Sequence, residues 1–375
     1  EIGARLVGSE MCIRDRILTI AMRYALLVGI LFSVLTACIP GQIMRIFTAD
    51  PVLIEKGAVY LRTVSLSFVL TGFTQIYYGL LKVCDHAGLS SMIGSLAVVL
   101  NIALNAVFIF GLVGMPAMGI AGAALATVCA RIFETIAVII VVTKYKCPKL
   151  GNMLVIKDRQ MHKDYWKYTT PLLVNQIGWG GGVTMYSVIM GPMGSDATAA
   201  NSIASIVRTI IASLCWGISA GVSIIIGQTL GQNKLEEAKK MGGKFVRLSI
   251  WIGAASGLVI LLLIPLVLRV ITLTPQAMYY LKFMLCMAAY YIIGNSLNST
   301  IISGIFPAGG DTKFGMICDV VTLWCFVVPL GMLAAFVWHA PVLLVAFILT
   351  LDEFVKIPAV YIHYMKYKWV KNITR

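Results

Sequence analysis

"AVYLRTVSLSFVLTGFTQIYYGLLKVCDHAG" (residues 58–88) decides how this chain is read. Its apolar part, roughly 57–82, is long enough to cross a hydrocarbon core of about 30 Å as a helix, which takes about 20 residues. It opens on Tyr-Leu-Arg, carries an amide (Gln75) near its middle and ends in a turn containing Gly88. The same order returns at "MYYLKFMLCMAAYYIIGNSLNSTIISGIFPAGG" (278–310), with Tyr-Leu-Lys, a mid-span Asn295 and a Gly-containing turn. One stretch predicts a membrane span, and its recurrence predicts a chain built from two related halves.

Working outward, ten stretches satisfy the same length rule: 18–44, 57–82, 90–113, 118–143, 167–191, 200–230, 245–272, 278–304, 314–338 and 341–364. A charged fraction of 12%, 59% apolar residues and a mean hydropathy of +0.90 agree. Soluble domains carry about 25% charged residues. The net charge of +14 is unevenly placed. Alternate connectors carry Lys82, Lys144, Lys146, Lys149, Lys157, Arg159, Lys163, Lys167, Lys234, Lys239, Lys240, Lys244, Arg247, Lys313, Lys366, Lys368, Lys371 and Arg375, whereas the others carry only Arg45, Lys56, Arg62, Arg269 and Lys282. By the positive-inside rule the first set faces the cytoplasm, and so do both ends of the chain. The basic charge thus reports topology, and no nucleic-acid partner is expected. The nine cysteines are scattered through apolar runs with no C-x-x-C pair, so they read as small apolar fillers and no metal is expected.

The repeat extends further. "PGQIMRIFT" (40–48) resembles "PLVLRVITLT" (265–274), so spans one to four match spans seven to ten. Spans five and six have no counterpart, and the place for one lies upstream of Ile17. The expected fold is therefore an all-α polytopic membrane protein of two pseudo-symmetric helical bundles, with ten of an expected twelve transmembrane helices and the first two missing. "EIGARLVGSEMCIRDR" (1–16) resembles translated sequencing-adapter read-through, a scar set aside from fold reasoning; the other reading is an amphipathic cytoplasmic leader. The expected organisation is the scar at 1–16, a four-helix remnant of the N-terminal bundle at 17–143, a basic cytoplasmic linker at 144–166, a six-helix C-terminal bundle at 167–364 and a basic cytoplasmic tail at 365–375.

Four motifs carry a family resemblance. "GSDATAANSIASIVRTIIASLCWGISAGVSIIIGQTLGQNKLEEAKKMG" (194–242) ends its span in Ile-Gly-Gln-x-Leu-Gly before a polar turn. "LNIALNAVFIFGLVGMPAMGIAGAALATV" (100–128), the "AGGDT" turn (308–312) and "DEFVKIPAVYIHYMKYKW" (352–369) follow the same pattern. Over essentially all of 17–375 the chain resembles the MATE (multidrug and toxic compound extrusion) family. That resemblance implies two six-helix bundles around a central cleft and export of organic cations against inward flow of H+ or Na+. It implies no cofactor, small amphiphilic organic cations and the lipid bilayer as partners, a monomer, and a multi-pass location in the cell membrane.

Candidate cleft residues follow from the spans. Asn175, Trp179, Gly182 and Tyr186 recur at helical spacing and share one stripe of span five, with Gln176 one step round. An amide, an indole and a phenol on one face suit flat cations, since aromatic rings attract cations by about 0.5–2 kcal/mol. The other reading is a close-packing Gly178-x-x-x-Gly182 face with aromatics beside it. Asn201, Arg208, Gln75, Asn295 and Asn298 complete the candidate cleft. Ionisable groups inside spans are costly and face bundle interiors. Arg131 with Glu134, and Asp352 with Lys356, read as a structural charge pair in each half. Asp319 sits about one turn inside its span. Glu134, Asp319 and Glu353 are the candidate coupling acids, although the main coupling acid is expected on the missing first helix.

Two other functions were weighed against this. A flippase for lipid-linked sugars would need a strongly cationic cavity, whereas Arg131 and Arg208 are the only arginines deep in spans. A membrane-embedded enzyme would need convergent titratable groups, but the four histidines lie far apart near loops or helix ends. No catalytic activity is expected.

Overall fold

Runs of apolar residues placed in lipid must satisfy their backbone groups internally, and helices do so within one segment. The computed structural model describes residues 2–47, 51–84, 86–145 and 159–371, all its regular elements being helical. The side chains of 2–15 and most of the expected linker at 144–166 lie outside the described residues. Among the described residues, eight helices are long and apolar enough to cross a membrane, against the ten spans expected. The other two stretches are helical but fail for separate reasons. Span five lies in a 32-residue helix diluted by its Gly, Trp and amide residues, and span ten is broken at Thr350–Leu351. Many large apolar side chains face outward, Ile102 at 64% and Trp251 at 76% exposed, as a lipid-facing surface requires.

The chain divides into two units, Glu1–Tyr165 and Trp166–Arg375. The first contains α1 (Ile2–Cys38), α2 (Pro40–Phe47), α3 (Pro51–Val83), α4 (Ala87–Phe110), α5 (Gly119–Lys144) and the first turns of α6 (Arg159–Met190). The backbone of residues 2–16 continues α1 without interruption. Here α1 packs on α3, α3 on α5 and α4 on α5. Leu18, Met22, Tyr77, Leu80, Ile93, Val138 and Val142 make the core. Small residues permit the approach: a Cβ on Gly122 of α5 would stand 2.5 Å from the main-chain oxygen of Phe108 on α4. Overpacking of this kind costs about 1–3 kcal/mol. Gly122→Ala is expected to lower the melting temperature of the purified protein by several degrees, and an unchanged value would show that α4 and α5 can move apart freely.

The second unit holds the rest of α6, α7 (Ser195–Gly231), α8 (Leu235–Val270) and α9 (Pro275–Asn298), which runs through a π-helical stretch, Ser299–Ile305, into the short α10 (Phe306–Ala308). It continues with α11 (Thr312–Val321), α12 (Val328–Met332), α13 (Val342–Leu349) and α14 (Asp352–Met365). Both α7 and α8 pack on α9. Thr274 caps α9: its hydroxyl accepts from the N–H of Ala277 at 3.1 Å and donates to Asp196 at 2.7 Å, with Pro275 at the first helical position. A proline removes one helical hydrogen bond and crowds the carbonyl four residues back. Widened π turns precede Pro307 and Pro329 (299–305 and 322–327), where they relieve that crowding. Pro171 and Pro265 sit inside α6 and α8 without such a turn.

The segment read as a basic cytoplasmic tail, 365–375, packs back onto the bundle as far as it is described: Trp369 is 0% exposed and belongs to a core with Phe306, Val360 and Tyr364. Its indole N–H donates to the Tyr364 carbonyl at 3.3 Å, and Lys239 lies 4.3 Å over the Tyr367 ring. The aromatic residues between the lysines decide its packing.

Candidate functional site

The second unit gathers its polar side chains around α14. Because α13 stops at Leu349 and α14 starts afresh at Asp352, Asp352 and Glu353 occupy a helix N-terminus inside the bundle. Free N–H groups and the positive end of the helix dipole favour carboxylates there. Glu353 is 2% exposed and fully engaged. Its Oε1 accepts from Asn295 Nδ2 at 3.0 Å and the Tyr291 hydroxyl at 3.3 Å. Its Oε2 accepts from Asn298 Nδ2 at 2.8 Å, and Lys356 Nζ lies 3.1 Å away. Asn298 Nδ2 also donates to the Glu353 main-chain oxygen at 2.6 Å.

Lys356 extends the network to α11. Its Nζ donates to Asp319 Oδ1 at 2.9 Å, and Asp319 Oδ2 accepts from Asn175 Nδ2 of α6 at 3.0 Å. The expected pairing of Lys356 with Asp352 is therefore replaced by pairing with Glu353, three residues back, and with Asp319. Asp319, 15% exposed, joins this line because α11 packs against α14.

The donor supply falls short. A buried polar group without a partner costs about 1–3 kcal/mol. Yet Asp352 Oδ1, Asn175 Oδ1, Asn295 Oδ1, Asn298 Oδ1 and the Tyr186 hydroxyl have no hydrogen-bond partner among the described residues. Asp352 is 5% exposed, and its ionisable neighbours besides Glu353 and Lys356 include Arg208 and Tyr291. Arg208 of α7 lies 4.9 Å over the Tyr291 ring, a cation–π contact that gives the arginine, unpaired in its own span, a partner on α9.

Beside these groups is a cavity of about 70 Å³ lined by Tyr186, Asn201, Arg208, Met284, Met287 and Thr350 among others. Drug-sized ligands need about 300–1,000 Å³, so this space suits water and ions. The span-five stripe divides between roles. A Cβ on Gly182 would collide with Leu323, those on Gly178 and Gly181 would press on Val320 and Trp324, and Trp324 donates its indole N–H to the Gly178 carbonyl at 3.0 Å. The glycine face thus packs on the helix that follows Thr312. Asn175 reaches the acid network, Tyr186 reaches the cavity, and Trp179 meets Trp216 edge-on at 5.8 Å. Gln176 lies on an exposed face, as does Gln75 in the first unit.

In the first unit, Arg131 and Glu134 pair at 2.5 Å, with Glu134 buried beside Tyr78 and Arg131 about one-third exposed. Asn105 donates to Asn101 at 3.0 Å within α4. What sequence reading missed are the long-range links, Asn175 to Asp319 and Asp319 to Lys356. The signal available was a lone acid and a lone lysine on neighbouring spans, both inside apolar stretches.

A bundle of long apolar helices with lipid-facing side chains and a charged interior belongs to the class of polytopic membrane proteins. The sequence model of the MatE family matches residues 14–107 and 171–333, and the chain belongs to that family. It is 27% identical over 239 residues to the uncharacterized transporter YisQ of Bacillus subtilis, covering 63% of this chain and 52% of YisQ. With the probable multidrug resistance protein YoeA of the same organism it shares 25% over 330 residues, covering 83% and 68%. The chain thus spans about half to two thirds of these relatives' lengths. The crystal structure of the Vibrio cholerae MATE transporter VcmN in its bent form is similar at a TM-score of 0.80 and 15% identity, over 96% of this chain and 80% of that one, a likeness of fold.

Proposed function

We propose that the protein is a secondary active exporter of small amphiphilic organic cations, exchanging them for H+ or Na+ by alternating access in the cell membrane, with both termini cytoplasmic. The observation that carries this reading is the network of buried Asp352, Glu353 and Lys356, joined by the partly exposed Asp319, beside a water-sized cavity. Such a group of charges, short of donors, changes its interaction energy by several kcal/mol when one cation is gained or lost. Coupling needs that property: an empty acid site favours ion entry on one side, and its loading shifts the balance between conformations. YoeA is named a probable multidrug resistance protein, which supports drug-like cargo.

The test is loss of a fluorescent cationic dye from drug-sensitive cells carrying the gene, with the H+ and Na+ gradients collapsed separately. Loss that stops with one of the gradients supports the exchange and names the ion; loss indifferent to both overturns it. Trp179→Ala and Tyr186→Ala are expected to slow efflux of planar cations several-fold while the amount of folded protein in the membrane is unchanged. Equal loss of folded protein would make both residues packing elements.

A further inference from the structure

We propose that Lys356 is a tethered cation occupying the place in the second unit where a free Na+ would otherwise bind, so that this unit is closed to Na+. The inference deepens the proposed exchange by naming the ion that this half does not take. Hard cations are held by several oxygens, carboxylates and carbonyls together. The surroundings of the Lys356 ammonium are of that kind. Asp319 Oδ1 stands at 2.9 Å and Glu353 Oε2 at 3.1 Å. The amides that hold these two carboxylates, Asn175, Asn295 and Asn298, each keep a buried oxygen without a donor. Two carboxylate oxygens within 3.1 Å of one ammonium, backed by amides whose own oxygens lack donors among the described residues, make a cation site already filled by the protein's own side chain. Lys356 is itself buried among these partners, and a carboxylate pair so enclosed would otherwise leave two uncompensated charges in a low-dielectric interior.

The arrangement has a second consequence. With the ammonium committed to Asp319 and Glu353, Asp352 is left as the carboxylate with an unpartnered oxygen. The charged and titratable groups around it are Glu353 and Lys356 on α14, Arg208 on α7, Tyr186 on α6, and Tyr290 and Tyr291 on α9. The cation traffic left to this unit is then exchange at Asp352, beside the water-sized cavity.

The experiment measures melting temperature of the purified chain in Na+ against K+ at equal ionic strength, for the natural sequence, Lys356→Met and Lys356→Met with Glu353→Gln. A ligand that binds only the folded state raises stability with its concentration. The result expected is a Na+-specific rise of several degrees in Lys356→Met, absent from the natural sequence or larger than its response, and removed again by adding Glu353→Gln. A Na+ response of Lys356→Met equal to that of the natural sequence would overturn the proposal. Should Lys356→Met fail to fold, Lys356→Gln is measured in the same comparison. A Na+-specific rise above that of the natural sequence supports the proposal, and an equal response overturns it. Because no step reads transport, failure here leaves the exporter reading standing, and failure of dye efflux leaves the ion site standing.

Discussion

Glu353→Leu is expected to lower the stability of the second unit by about 3–5 kcal/mol, the usual cost of removing one partner from a buried ion pair. The loss has two sources. Asn295, Asn298 and Tyr291 lose the acceptor they share, and Lys356 keeps only Asp319 as a counter-charge. For a unit of this size the change corresponds to a fall in melting temperature of roughly 6–20 °C, readable by thermal unfolding in detergent. Glu353→Gln keeps the shape and one acceptor oxygen, so its fall should be smaller by half or more. If Glu353→Leu melts like the natural protein, the network is not the buried, mutually dependent group described here.

The second large effect is expected at Trp369. Truncating a fully buried tryptophan to alanine costs about 3–5 kcal/mol through lost transfer energy and the cavity left behind. Trp369 is 0% exposed and lies against Gly242 and Gly309, positions where a Cβ would collide with its ring or its backbone. Trp369→Ala should therefore reduce the melting temperature about as much as Glu353→Leu, and Gly309→Ala should mimic it from the opposite side. A melting temperature unchanged in Trp369→Ala would return residues 366–371 to the status of a loose tail.

Span length, apolar run and the spacing of basic residues are local properties, so the membrane class and the positions of most helices were legible in the sequence. The break at Thr350–Leu351 was not, because an unbroken apolar run hides a change of helix axis. That break puts Asp352 and Glu353 at a helix start, and nothing in "LTLDEFVK" announces it except the acids themselves. The candidate site was legible as residue types rather than as pairs. Asn295 and Asn298 are only two amides in a span until Glu353, some 55 residues on, supplies the acceptor between them. The spacing of Arg131 and Glu134 correctly pointed to their contact, since three residues apart is one helical face. The same spacing holds Lys356 to Glu353, whereas its second partner, Asp319 on another helix, lay beyond any local rule.

The central claim, that this buried acid network couples an inward ion gradient to export, is tested most directly by dye transport in sealed vesicles carrying the purified protein, with H+ and Na+ gradients imposed one at a time. The prediction is dye movement that follows one imposed gradient, reverses when that gradient is reversed, and disappears in Asp352→Asn. Movement of equal rate in Asp352→Asn, or movement that ignores the direction of both gradients, would contradict it.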